Sequence, residues 1–302
     1  MITEEIRKAR QKGIGSSDLA AIAGLSQYRT PLDVYHEKLG MRADDPDNQY
    51  TYWGNKMEDP IAQEYEIRKG VKVIDPNEMI THPEYPFMLA NVDRLIDDGK
   101  GILECKTASA YISQEWGEIG SDQIPDAYLL QAAHQSKVYE HKGIEYVDIA
   151  VLIGGNDFRI YRYLRNTILE ERITNIASKF WNNHVIPHIP PAPKNINDLL
   201  FLYPQDNGNK VQATEEALLI IDALKNISGE INMLSEKEKE YKNQVRALIA
   251  NSYMLVDTEG RKIATWKSQS TNRFDTTTFK KEYPDMYKDF CKTSETRVLR
   301  IV

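Results

Sequence analysis

Only two cysteines, Cys105 and Cys291, occur in the 302 residues. Two thiols cannot build a four-cysteine zinc or iron–sulfur site, and they give no disulfide framework, so cluster-bearing nucleases and stapled secreted domains are excluded. Long apolar runs are missing as well. No stretch of about 18 apolar residues occurs, and the opening MITEEIRKARQKG is charged and lacks the apolar core of an export signal. The expectation is a cytosolic protein with no membrane span. A positive charge excess is also absent. The formal net charge is −7, which argues against a protein that coats DNA non-specifically. The imbalance is uneven: residues 213–302 hold 15 Lys+Arg and 14 Asp+Glu, whereas residues 1–212 hold 23 and 31. An acidic N-terminal part suits an enzyme that gathers divalent cations and touches DNA through a local basic groove.

What is present is an ordinary globular composition, 41% hydrophobic and 27% charged, enough for a core without staples. Residues 3–12 read as a helix. The Gly13–Ser17 turn follows, with Ser16 or Ser17 placed to cap a second helix at DLAAIAGL. Thr30-Pro31 opens a third helix that stops at Gly40. MRADDPDNQY reads as a loop, and a long helix starts near Tyr52, with Pro60 as a kink or break inside it. MLANVDRLI, a DDGKG turn and GILECKT predict a β-hairpin. Residues 124–141 predict a helix, VDIAVLIGG and FRIYRYLRN two strands, and ILEERITNIASKFWNNHVI another helix ended by the extended IPHIPPAP run. Residues 214–250 read as a long charged helix, or a coiled-coil hairpin turning at Ser228-Gly229. YMLVDTEGRKIATWK predicts a hairpin with turn DTEG. The pattern divides the chain into a catalytic part, residues 1–205, and a C-terminal extension, residues 206–302.

The chemistry gathers on the first hairpin. Glu104 and Lys106 stand two apart, so on a strand they share a face while Cys105 points the other way, into the core. The neighbouring strand can bring Asp93 to the same face. Two carboxylates and an ammonium suit phosphodiester hydrolysis with Mg²⁺, which needs few protein oxygens and keeps its waters. Asp93, Glu104 and the backbone carbonyl of Cys105 are the candidate ligands, and Lys106 would stabilise charge on phosphorus. The same residues could instead be solvent-facing strand positions with a surface ion pair. Upstream, Glu58 could reach the metal directly or through water, with Asp59 and Glu64 as competitors. Downstream, Tyr128 and Gln131 lie at i, i+3 on one helix face. Gln131 could bind water or phosphate, or be surface polarity, and His134 reads as structural.

Four blocks, GIGSSDLAAIAGLSQYRTPLDVYHEKLG, GNKMEDPIAQEY, LANVDRLI with GILECKTA, and YLLQAAHQ, together resemble the YqaJ-type viral recombinases, to which lambda exonuclease is related. The resemblance spans about residues 10–165. It implies an α/β restriction-endonuclease-like core, a central mixed sheet flanked by helices, here followed by the helical arm and β-hairpin. It implies a Mg²⁺-dependent enzyme, with Mn²⁺ as a substitute, that digests the 5′ strand of linear duplex DNA to mononucleotides and leaves a 3′ overhang. It further implies a single-strand annealing protein as partner, a ring trimer, and a phage- or prophage-encoded protein in a bacterial cytoplasm. By the family pattern Asp93, Glu104 and Lys106 are metal ligands and catalytic lysine, Glu58 the upstream acid, and Tyr128 and Gln131 the following helix. Arg10, Ser17 and Arg29 fall where the family places a 5′-phosphate pocket, a sensible anion site of guanidinium, hydroxyl and helix start. Two other readings stand beside this one: an endonuclease at structured DNA on the same core, and a non-catalytic module that holds DNA ends or a partner protein. Against the module, a binder has no need to keep mutually repelling carboxylates together.

Overall fold

A computed structural model describes residues 4–41, 48–293 and 296–301. It divides into two compact units, Met1–Leu202 and Tyr203–Val302. In the first unit α1 (Glu4–Gln11), α2 (Asp18–Ile22) and α3 (Pro31–Lys38) form the N-terminal block. Thr30 caps α3 through Asp33 in a capping box, with Pro31 at the first helical position. Ser17 occupies the start of α2 but makes no side-chain cap bond. The Asp18 carboxylate instead ties down the turn ahead of the helix, accepting from Gly15 N–H at 2.9 Å. Most of the acidic loop expected before the next helix, residues 42–47, lies outside the described residues.

Helix α4 (Gln49–Lys69) is capped by Asn48 and ends at Gly70, which takes φ 67°. Pro60 lies inside it without ending it. Ile61, Ala62 and Tyr65 of the same stretch are buried against the sheet, so packing holds the helix through the missing amide. The expected first strand of the hairpin splits in two. β1 (Val73–Ile74) and β2 (Ile80–Thr81) precede it, β3 (Leu89–Ala90) pairs with β2, and only β4 (Arg94–Ile96) pairs with β5 (Gly101–Ala108). Asp93 therefore stands in the bend ahead of β4 rather than in the middle of a strand.

β5 continues through α5 (Asp126–Val138) to β6 (Tyr146–Ile153), which runs parallel to it, and β7 (Asp157–Leu164) returns antiparallel. The turn between β6 and β7 uses Gly154 and Gly155 at φ 61° and 81°, a left-handed pair that suits glycine. The sheet order is β1-β4-β5-β6-β7, a mixed sheet. α4 covers one face and α5, backed by α6 (Thr167–Phe180), the other. Burial on both faces explains why β6 is apolar almost throughout. Its one acid, Asp148, is fully buried and satisfied by Tyr65 Oη at 2.6 Å and Arg162 at 2.6 and 2.7 Å. α6 ends in a π-helical turn (Trp181–Val185), and α7 (Ile196–Leu202) closes the unit, its Asp198 accepting from Thr30 Oγ1 at 2.9 Å.

The second unit carries α8 (Glu215–Ile249), β8 (Met254–Val256), β9 (Lys262–Thr265), α9 (Thr276–Glu282) and α10 (Pro284–Asp289). α8 runs unbroken through Ser228 and Gly229, so the hairpin alternative is corrected: one glycine costs about 1 kcal/mol, too little to end a 35-residue helix. The β8–β9 hairpin forms as expected. Among the described residues no helix is long and apolar enough to cross a membrane.

Gly13 joins the N-terminal block to the sheet side of the fold. Ile14 N–H donates to the Phe87 carbonyl at 2.6 Å and Leu89 N–H to the Ile14 carbonyl at 2.9 Å. A Cβ at Gly13 would lie 2.6 Å from the Phe87 oxygen and 2.8 Å from Leu89 Cγ. Gly13→Ala should therefore lower unfolding free energy by about 1–3 kcal/mol in denaturant titration. Gly54→Ala, which meets open space in α4, should raise it by up to about 1 kcal/mol.

Candidate active site

The alternation of β5 sorts its side chains between two helices. Ile102 joins the core on the α5 side, and Leu103 and Cys105 pack with Ile61, Ala62 and Tyr65 of α4. Glu104 and Lys106 consequently face α5, as their spacing predicts, and Cys105 faces the α4 core. Burial, with Asp93 and Glu104 nearby, pushes the Cys105 thiol up, so this cysteine is an inert packing group.

Glu104 is 5% exposed and is held by three donors. Lys106 Nζ and Gln131 Nε2 reach its Oε1 at 2.5 and 2.6 Å, and Gln135 Nε2 reaches its Oε2 at 2.5 Å. Gln131 and Gln135 are four apart, so one face of α5 presents both amides to one carboxylate. Asp93 is brought alongside by the bend before β4, where its Oδ2 accepts the Cys105 N–H at 2.7 Å. Burial, then the charge of Glu104, pushes the Asp93 carboxyl up to about 8. Burial alone would lower the Lys106 ammonium, but Glu104 and Asp93 outweigh it and hold it firmly charged. The ammonium also sits 5.4 Å from the Tyr128 ring, which stacks on Trp116.

The structure therefore brings together Asp93, Glu104, Lys106, Gln131 and Tyr128. Glu58 stands beside them but is engaged: Arg94 Nη1 donates to its Oε1 at 2.6 Å and also to the Asp93 carbonyl, while Nη2 pairs with Asp59. Glu64 is tied to Arg68 at 2.7 Å. Among the described residues no group of three or more His, Cys, Asp or Glu is arranged to hold a metal ion. A pair of carboxylates with a backbone carbonyl is nonetheless the donor set that suits Mg²⁺; burial first, and the charge of Glu104 second, raises the Asp93 carboxyl. His134 is buried, its Nε2 3.0 Å from the Leu89 carbonyl, and burial lowers its pKa to about 4. It is a neutral core group.

Arg10 and Arg29 converge in the N-terminal block. Arg29 pairs with Asp18 at 2.9 Å and Glu37 at 2.5 Å, Arg10 approaches Glu37 at 3.7 Å, and Lys38 pairs with Asp18 at 2.6 Å. Burial would raise the Asp18 carboxyl, but these three cations pull it far below the usual range. The exposed Ser17 stands next to this cluster in sequence. A groove of about 520 Å³ is lined by Tyr28, Ile112, Glu115, Pro125, Asp126 and Tyr128 among others. Sequence reasoning did not single out Gln135 or Arg94. The i, i+4 repeat in YLLQAAHQ carried the signal for Gln135, whereas nothing in the sequence marks which acids Arg94 clamps.

Residues 6–142 match the YqaJ-like viral recombinase domain. Over 297 residues, 95% of this chain and 90% of the relative, the sequence is 35% identical to "Uncharacterized protein YqaJ" of Bacillus subtilis (strain 168). The fold is similar to LHK-Exo in complex with dAMP, at 20% identity and TM-score 0.50, covering 62% of this chain and 94% of that one. A second structure of LHK-Exo, an alkaline exonuclease from Laribacter hongkongensis, matches at 19% identity and TM-score 0.48, with the same coverage.

An aspartate held near 8 in the fold, against an ordinary value of 3.8, binds its proton more tightly folded than unfolded. Its contribution to stability is full below about pH 4 and is lost as pH rises through about 8. In chelator, Asp93→Asn should therefore raise the melting temperature at pH 7.5 and change it little near pH 4. Equal melting of the two proteins at pH 7.5 would show that Asp93 is not held protonated.

Proposed function

From a chain that belongs to the YqaJ-like viral recombinase domain family, we propose an exonuclease that removes the 5′ strand of linear duplex DNA and leaves a 3′ overhang for a single-strand annealing protein. The observation that carries this reading is the convergence of Asp93, Glu104 and Lys106 at the edge of α5. Asp93, Glu104 and the carbonyl of Cys105 would hold a divalent cation, Mg²⁺ or Mn²⁺, with Glu58 joining through water or on release from Arg94. When bound, the cation would polarise the scissile phosphate and lower the pKa of a water.

The chain's own groups do the rest. Lys106, fixed between Glu104 and the Tyr128 face, places a permanent positive charge where charge grows on phosphorus. Gln131 and Gln135 orient Glu104, and Gln131, the less buried of the two, has an amide that can turn to a water or phosphate oxygen. Arg10, Arg29 and Ser17 would receive the 5′-phosphate, which would displace Glu37 from the Arg29 guanidinium. Holding the terminal phosphate ahead of the cut gives direction to the digestion, and a subunit ring of the kind the family pattern implies would keep the enzyme on its strand.

Linear duplex labelled at its 5′ or 3′ end, incubated beside closed circular DNA, tests the reading. Early release of the 5′ label as mononucleotide with the circle intact is expected; a nicked circle would mean an endonuclease, and no cleavage with Mg²⁺ or Mn²⁺ would leave a binding module. Asp93→Ala and Lys106→Ala should each reduce cleavage by roughly 10³-fold or more while end binding persists. Arg10→Ala should slow digestion of 5′-phosphorylated ends more than of 5′-hydroxyl ends, and equal slowing on both would remove the pocket.

A further inference from the structure

Arg94 ties the acids of α4 to the main chain that carries Asp93. It opens β4 opposite Leu103, so its side chain shares the face of Leu103, toward α4, while Glu104 points to α5. Nη1 donates to Glu58 Oε1 at 2.6 Å and to the Asp93 carbonyl, and Nη2 donates to Asp59 Oδ1. Asp93 also accepts the Cys105 N–H at 2.7 Å. It is thereby fixed twice, through its carboxylate and through its carbonyl. Glu58 and Asp59 immediately precede Pro60, where α4 lacks an amide, so the guanidinium also grips the helix at its weak turn.

The three acceptors are not alike. The Asp93 carbonyl is main chain and stays in place. The Asp59 side chain is 77% exposed and stands on the solvent side. The Glu58 side chain is 35% exposed against 9% for Arg94. If Glu58 turns away, Nη1 keeps the Asp93 carbonyl and Nη2 keeps Asp59, so a largely buried guanidinium is not left unpaired. Glu58 is the partner that can leave. We propose that Arg94 is a positioning residue that holds Glu58 in reserve: Glu58 waits on the guanidinium beside Asp93 and is released when Asp93 and Glu104 take a divalent cation. The proposal rests on the nuclease reading above.

Charge fixes the sign of the effect. With Asp93 ionised, the carboxylates of Asp93, Glu104, Glu58 and Asp59 stand with the cations Lys106 and Arg94. Removing Arg94 deepens the negative excess and frees Glu58, so a divalent cation should bind more tightly. The same change loosens the main chain at Asp93, and a misplaced ligand slows the reaction. Affinity and rate therefore move in opposite directions. A residue that merely supported the fold would lower both when removed.

Mn²⁺ binding to the full chain without DNA, read from the electron paramagnetic resonance of free Mn²⁺, tests this beside cleavage of linear duplex at saturating Mn²⁺. Arg94→Gln should bind Mn²⁺ roughly tenfold more tightly than the wild-type chain and cleave roughly tenfold or more slowly. In a Glu58→Gln background the same substitution should change affinity by about twofold or less, because the group to be released is gone. Glu58→Gln alone leaves the other two acceptors of Arg94 in place and should melt within about 2 °C of wild type in chelator, a readout that does not depend on how the Arg94 variant folds. Unchanged or weaker Mn²⁺ binding by Arg94→Gln, equal tightening in both backgrounds, or a large drop in the melting temperature of Glu58→Gln would overturn the role of Arg94 and leave the nuclease reading standing. A wild-type chain that binds no Mn²⁺, or binds it equally well after Asp93→Ala, would remove that reading and the proposal with it.

Discussion

Two carboxylates held side by side away from water are the constraint on which the catalytic unit is organised. Asp93 and Glu104 would repel one another and lose hydration, and the fold surrounds them with donors rather than avoiding the cost. The Cys105 N–H, the Lys106 ammonium and the amides of Gln131 and Gln135 all point at this pair. Behind it, Arg94 gathers Glu58 and Asp59 so that further acids stand near without adding free charge. Burial, with Glu104 beside it, still raises the Asp93 carboxyl, and giving up its proton to a divalent cation would offset that cost.

Much of this arrangement was legible in the sequence because strand geometry is a hard rule. Glu104, Cys105 and Lys106 could be assigned to faces from their spacing alone, and the structure agrees. α5, β6 and β7 were legible for the same kind of reason, since periodicity and an apolar run bounded by glycines leave few alternatives. What was not legible depends on tertiary contact. MLANVDRLI reads as one strand, yet Leu89–Ala90 and Arg94–Ile96 pair with different partners and leave Asp93 in the bend between them. Pro60 reads as a break and is carried by buried neighbours. Gly229 leaves a turn open as the alternative to one long helix, and is passed over by a helix with 34 other residues to sustain it.

The N-terminal block shows a different limit. The family resemblance places Arg10 and Arg29 near an anion, but it could not say that Asp18 and Glu37 would already stand there. A cluster of three cations and two carboxylates is nearly neutral and keeps its shape before any ligand arrives. Such a cluster is pre-organised, and exchanging Glu37 for a phosphate would alter its charge without rebuilding it.

The alternation of β5 has one more consequence. A slip of one residue between β5 and its neighbours would turn Glu104 and Lys106 toward Ile61 and Tyr65 and send Cys105 to the amides of α5. The ion pair would then be buried among apolar side chains without the amides of Gln131 and Gln135, at a cost of several kcal/mol. A chain that threads wrongly thus fails as a folded object before it can fail as a catalyst. The residues proposed to perform the chemistry also proofread the sheet, and each correctly folded molecule emerges with that face already aligned.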